Sequence, residues 1–101
     1  MKPKLLVATE IDNIQGLREK LECKFEIVYH PNLVMEDLRI IDNEVSAIFT
    51  NPNNLKVYFG KKFLGEFKFL KAIATASTGT VHIDTEYVKS TGIQLISITK
   101  S

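Results

Sequence analysis

Five short apolar runs punctuate this chain, and the segment between each run and the next spaces its apolar residues as a helix does. Runs of about four to eight residues that are rich in Val, Ile and Leu predict strands buried in a sheet. Strands that alternate with helices in this way predict a parallel sheet with right-handed crossovers and helices on both faces. The runs cover residues 4–9, 24–29, 45–50, 71–76 and 93–98.

Four segments between the runs are predicted to be helical. We expect Asp12 or Asn13 to cap the first, Asn32 the second and Asp84 the fourth, which should end at Gly92. Within each segment apolar residues recur at helical spacing. They are Ile14, Leu17 and Leu21 in the first, Val34, Met35, Leu38 and Ile41 in the second, Phe63, Leu64, Phe67 and Leu70 in the third, and Tyr87 and Val88 in the fourth.

A parallel sheet of five strands commonly has the order 2-1-3-4-5, and the predicted fold class is therefore a flavodoxin-like three-layer α/β sandwich. The ligand crevice of such a fold lies beyond the carboxyl ends of the strands, near the point where the strand order reverses. The loops that reach this carboxyl edge are residues 9–10, 50–53 and 77–79. We therefore expect a functional site among these loops.

Length and charge exclude several classes of function. The chain has 101 residues, which corresponds to one domain that is long enough to bury a core. Thirteen basic residues against twelve acidic ones leave a net charge of +1. Proteins that bind nucleic acids or membrane surfaces usually carry a concentrated excess of basic residues, so we expect neither as the main partner.

The cysteine and histidine content bounds the chemistry further. Two histidines and one cysteine are too few and too scattered for a zinc cluster, and we expect no metal site. Cys23 has no second cysteine for an intramolecular disulfide, and we expect a partly buried, inert thiol. The apolar stretch near the N-terminus is too short for a signal peptide, which predicts a cytoplasmic protein.

Residues 70–84 join a buried strand to a loop of small residues. The apolar run passes through Ser77, Thr78 and Gly79 before the fourth helix begins. Such a loop can leave backbone N–H groups bare, and bare N–H groups can hold an anion without a charged side chain. The same residues also suit a tight turn that merely permits close packing, so both interpretations stay open at this point.

The same segment resembles the D-isomer-specific 2-hydroxyacid dehydrogenases. In that family a strand beginning with leucine and lysine leads to a Gly-x-x-x-Ile-Asp loop, a short helix and a Gly-Ile strand. Val81 departs from the pattern, since the family often has aspartate or asparagine there. The resemblance covers nearly the whole chain and implies the family's N-terminal substrate-binding domain. The matching residues are Leu70, Lys71, Gly79, Ile83, Asp84, Gly92 and Ile93.

This resemblance implies a function. The amides of Ser77, Thr78 and Gly79 would hold the carboxylate of a small 2-hydroxy or 2-keto acid, and Asn51 would border the same cleft. Hydride transfer would require NAD(H), which in this family binds to a nicotinamide domain that also carries the catalytic residues. The sequence has no Gly-x-Gly-x-x-Gly turn. We therefore expect an excised or truncated substrate domain with no catalytic residue and no cofactor of its own, and a homodimer is possible for the full-length protein.

Other residues have simpler interpretations. We expect Asp84 to be a helix cap rather than a catalytic acid, and His82 to be a surface or hydrogen-bonding residue rather than a catalytic one. The aromatic run at residues 58–69 has more apolar surface than one helix face can bury, so part of it could pack on a second domain or subunit. The alternative function is a stand-alone flavodoxin-like module that binds a protein or a small anion without catalysis.

Overall fold

The computed structural model describes residues 2–12, 14–51, 57–75 and 82–97. Within these ranges, five strands form one parallel sheet in the order β2-β1-β3-β4-β5. The predicted flavodoxin-like α/β class and its strand order are therefore confirmed. The strands are β1 (Lys4–Val7), β2 (Glu26–Tyr29), β3 (Ala47–Thr50), β4 (Ala72–Thr75) and β5 (Gln94–Ser97).

Helices lie in all four predicted segments, although the third ends at Leu64 and leaves the predicted positions Phe67 and Leu70 beyond it. The helices are α1 (Leu17–Glu22), a 3-10 helix (Met35–Arg39), α2 (Lys61–Leu64) and α3 (Thr85–Thr91). None of these helices is long and apolar enough to cross a membrane.

The ends of α3 match the sequence prediction. The Asp84 carboxylate accepts a hydrogen bond of 3.1 Å from the backbone N–H of Tyr87 and thereby caps the first turn. At the other end, Gly92 takes the left-handed conformation with φ 79°, which a side chain would strain. The predicted cap and stop are both confirmed.

The first helix starts differently from the prediction. Gly16, with φ 79°, occupies the position before α1, and no side chain caps this helix. The Asp12 carboxylate instead lies 3.2 Å from the Arg18 guanidinium, while Asn13 lies outside the described residues. The prediction of Asp12 as a cap is wrong because the left-handed glycine delays the start of the helix.

The second helical segment forms a 3-10 helix rather than an α-helix. The Asp37 carboxylate closes its first turn by accepting a hydrogen bond of 3.1 Å from the N–H of Val34. The prediction that Asn32 caps this helix is therefore wrong. Over five residues a spacing of three or four positions fits both kinds of helix, so the pattern alone could not separate them.

The two faces of the sheet are packed unequally. We call the face that carries Leu6, Ile48 and Ile73 the covered face, because the 3-10 helix, α2 and α3 all pack on it. The opposite face carries Leu5 and Val7 under α1. We call it the open face because its β4 and β5 side has no described helix over it. Ala72, Ala74 and Ile96 line an apolar cavity of about 540 Å³ there.

Candidate functional site

The carboxyl edge of the sheet brings two of the predicted site segments together. β3 ends at Thr50 and β4 ends at Thr75, and the Cα atoms of these two residues are register partners in adjacent strands. Asn51 follows Thr50 directly and is half-buried. Ser77, Thr78 and Gly79 lie outside the described residues, so their placement stays a prediction.

The chain is also fixed where it returns after residues 76–81. Phe59 and Ile83 form an isolated parallel bridge. In it the N–H of Phe59 donates to the carbonyl of His82 at 2.8 Å, and the N–H of Asp84 donates to the carbonyl of Phe59 at 3.0 Å. The residues before and after this segment are therefore both held by backbone hydrogen bonds.

Three buried polar side chains near this edge have no hydrogen-bond partner in the described part of the chain. Thr75 and His82 flank residues 76–81, and Thr50 is the register partner of Thr75. The Thr50 and Thr75 hydroxyls are fully buried, and both ring nitrogens of His82 are unpaired although the residue is only 8% exposed. Buried polar atoms are nearly always hydrogen-bonded, so such a group of exceptions points to a function. A threonine at or next to the end of each of two apolar runs was the available signal in the sequence for the hydroxyl pair.

His82 differs from its predicted environment. It lies at the edge of the Phe59 ring, with 6.0 Å between the ring centroids, instead of at the surface or in a hydrogen bond. Burial lowers the pKa of His82 because the charged imidazolium loses its hydration. The imidazole is therefore neutral at pH 7. The expectation of a surface or hydrogen-bonding histidine is wrong because its neighbours in the fold, which the spacing does not show, include Phe59.

The described ion pairs form two groups, one at the amino edge and one beyond the carboxyl ends of β1 and β2. At the amino edge, Lys4 pairs with Asp42, and the Glu26 carboxylate lies 3.9 Å from the Lys4 ammonium group. The hydrogen bond to Asp42 raises the pKa of Lys4, and the same bond lowers the pKa of Asp42. On the open face, Arg18 pairs with Asp12.

The aromatic run divides between core and surface. Phe63 packs edge-to-face on Phe59 with ring centroids 5.2 Å apart, and Phe67 packs on Phe63 at 5.4 Å. Tyr58 and Phe69 are 56% and 59% exposed. Tyr58 and Phe69 thus leave apolar surface uncovered outside the helix at Lys61–Leu64, and the packing of this surface on a second domain or subunit stays a prediction.

The structure also bears on the metal and on the cofactor. The described residues contain no group of three His, Cys, Asp or Glu side chains that could hold a metal ion. Ala8, Thr9 and Glu10 follow β1, so the loop after β1 does not contain the glycine-rich turn that holds a pyrophosphate in dinucleotide-binding folds. Cys23, expected to be partly buried, is exposed because it lies just beyond α1.

Solved structures with this fold cover nearly all of the chain. A protein from Pyrococcus horikoshii OT3 matches with a TM-score of 0.82 and 22% identity over 96% of this chain and 28% of its own. A glyoxylate reductase from Paecilomyes thermophila has a TM-score of 0.76 and 17% identity over 95% and 32%. A D-lactate dehydrogenase from Aquifex aeolicus, complexed with NAD and lactic acid, has a TM-score of 0.69 and 20% identity over 94% and 27%.

The chain thus spans about three-tenths of the length of these structures, whose likeness at this identity shows the fold. A search of the curated proteins found no match. The family model of the D-isomer specific 2-hydroxyacid dehydrogenase catalytic domain matches residues 6–101, which is almost the whole chain. This chain therefore belongs to the D-isomer-specific 2-hydroxyacid dehydrogenase family.

Proposed function

We propose that this chain is the substrate-binding part of an NAD-dependent D-2-hydroxyacid dehydrogenase. The backbone amides of Ser77, Thr78 and Gly79 hold the substrate carboxylate, and Asn51 borders the same cleft. The observation that carries this proposal is the register pairing of Thr50 with Thr75, since it makes the chain leave the sheet at neighbouring points. Asn51 and the segment that contains Ser77 to Gly79 begin side by side at the carboxyl edge, where this fold class binds its ligands.

In this proposal the chain binds and orients the acid while the cofactor performs the redox chemistry. NAD(H) carries the hydride and is held by a nicotinamide domain of the same protein, since this sequence has no Gly-x-Gly-x-x-Gly turn. No residue of this chain is catalytic. Support for the substrate class comes from the family match and from relatives of the same fold described as a glyoxylate reductase and a D-lactate dehydrogenase.

Backbone amides suit this task because of their direction and rigidity. Each N–H points along a fixed vector, and several that converge on one point make a concave site for an anion. Thr75 and His82 flank the proposed amides, and both are tied into the fold by backbone pairing. We expect this anchoring of the flanking residues to reduce the conformational entropy that carboxylate binding costs.

The direct test is an NMR titration of the ¹⁵N-labelled chain with glyoxylate and with pyruvate. We expect saturable, weak shifts centred on the amides of Ser77 to Gly79 and on Asn51, whereas lactamide, which lacks the carboxylate, should shift none of them. NADH should produce no shifts. Tight NADH binding by these residues, or oxo-acid shifts confined to another part of the chain, would contradict the proposal.

A matched pair of variants tests the role of Asn51. Asn51→Ala should weaken glyoxylate binding several-fold, because the amide side chain borders the proposed carboxylate site. Asn43→Ala removes the same atoms from an exposed asparagine before β3, at the opposite edge of the sheet, and should leave binding unchanged. Equal effects of the two substitutions would remove Asn51 from the site.

A further inference from the structure

The Thr50 and Thr75 hydroxyls occupy adjacent positions on one face of the sheet. Each threonine lies two residues after a covered-face isoleucine, Ile48 or Ile73, so both side chains point to that face. Register partners in neighbouring strands lie about 4.8 Å apart. The structure has no hydrogen bond between the two hydroxyls, and this strand spacing is short enough for one molecule to bridge them.

Burial makes the lack of a partner costly. Both residues are 0% exposed, and neither hydroxyl has a hydrogen-bond partner in the described part of the chain. A buried hydroxyl that loses its hydration without a replacement bond destabilises a fold, whereas valine has nearly the same shape and no such penalty. The presence of threonine at both positions therefore indicates a shared polar occupant.

We propose that Thr50 and Thr75 bind one internal water molecule that links the carboxyl ends of β3 and β4. A hydroxyl–water bond is about 2.8 Å long, and at a roughly tetrahedral angle one water joins two oxygens about 4.6 Å apart, which is close to the strand spacing of about 4.8 Å. Internal waters typically make two to four hydrogen bonds, and the two hydroxyls supply the minimum.

The link makes both threonines positioning residues for the proposed substrate site, and this part of the inference rests on the proposed function. Thr50 directly precedes Asn51, and Thr75 directly precedes the segment that carries the proposed amides. The water therefore sets the spacing between the two halves of the site. His82, buried and unpaired beyond the same segment, is not needed for this link.

A double-mutant cycle tests the water link without any ligand. We expect Thr50→Val and Thr75→Val each to raise the unfolding equilibrium constant about tenfold. Each removes one of the two bonds that hold the water, so the water is lost and the remaining hydroxyl is left unpaired. The double variant Thr50→Val/Thr75→Val should recover most of the loss, because both polar groups are then replaced by apolar groups of the same shape. Thr50→Ser and Thr75→Ser keep the hydroxyl. A cycle that combines either serine variant with the valine substitution at the other position should therefore show the same nonadditivity as the wild-type cycle. Urea denaturation of the 101-residue chain gives these constants.

Two further readouts separate positioning from stability. A water–protein NOE at the threonine side chains should be present in the wild-type chain and absent in the double variant. The glyoxylate dissociation constant should rise several-fold in each single valine variant and stay near the wild-type value in each serine variant.

Valine substitutions that are each stabilising, and additive in the double variant, would overturn the inference, since the hydroxyls would then be unpaired and independent. The same holds if the water–protein NOE is missing from the wild-type chain. If the wild-type chain binds no oxo acid, the proposed function fails, while the cycle and the NOE still decide the water link.

Discussion

The covered and open faces of the sheet bury the same backbone in different ways. On the covered face, Ile48 and Ile73 are fully buried and pack with residues from three helical segments. On the open face, Ala74 is half-buried and Ile96 is 38% exposed beside an apolar cavity. We infer that the stability of this domain is concentrated on the covered face, because the stabilising free energy grows with the apolar area removed from water and with the tightness of packing.

The largest expected effect comes from the aromatic core of the covered face. Phe63→Ala should lower the free energy of unfolding by about 3–5 kcal/mol, because it leaves a large cavity and removes the ring contact with Phe59. Phe69→Ala makes the same change at an exposed ring and should cost less than about 0.5 kcal/mol. Urea denaturation of both variants measures the difference, and equal costs would show that burial in the structure does not rank these residues.

Enlarging an alanine should affect the two faces in opposite directions. Ala8 is fully buried in the main core, so Ala8→Leu should destabilise by about 1–3 kcal/mol through overpacking. Ala74 borders the cavity of the open face, so Ala74→Leu should be neutral or slightly stabilising. The check is the pair of thermal midpoints by calorimetry. A marked destabilisation by Ala74→Leu would mean that the open face is packed as tightly as the other.

A smaller effect distinguishes the helices that lie on the two faces. Asp84→Ala removes the cap of α3 and should lower the free energy of unfolding by about 1 kcal/mol. Asp84→Asn keeps an acceptor and should lower it by only a few tenths of a kcal/mol. Asp12→Ala, next to the uncapped α1, breaks only an exposed contact with Arg18 and should have little effect. Chemical denaturation of the three variants provides the comparison. If Asp12→Ala costs as much as Asp84→Ala, α1 depends on a side-chain cap after all.

The smallest effect should be a pH dependence that originates at His82. Because burial lowers the pKa of the folded-state imidazole below its ordinary value of 6.5, the unfolded chain takes up this proton first as the pH falls. The contribution of His82 to stability is therefore fully present above pH 6.5 and is lost as the pH falls from there toward the lowered pKa. Unfolding free energies between pH 7.5 and 5 for the wild type and His82→Gln should diverge in slope over this window. Parallel curves would mean that His82 is not neutralised by burial.

The fold was predictable because its signals are local and repeated. Each strand run is short, apolar and followed by a helical pattern, and chain connectivity then restricts the strand order. Local signals also gave the two ends of α3, since Asp84 and Gly92 act within one turn of the helix. Where one turn of spacing fitted two helix types, as at Met35–Arg39, the local signal was not enough.

The site was harder to predict because its environment is set by tertiary packing. The pairing of Thr50 with Thr75 and the burial of His82 depend on strands and loops that are far apart in the chain. The alternation of Ala72 and Ala74 with Ile73 did show that one face of β4 carries small side chains. It did not show that this side of the sheet would have no described helix over it. Ser77, Thr78, Gly79 and Asn51 remain predictions that the titration tests.

β1 lies inside the sheet rather than at its edge, and this position affects how the domain folds. β1 is made first but pairs with both β2 and β3, so its second edge stays unpaired until the chain has been extended to Thr50. The later strands can add only to an edge that already exists, since β4 pairs with β3 and β5 with β4. Parallel pairing over such sequence separations gives a high contact order, and we expect refolding on the slow side for a domain of this length.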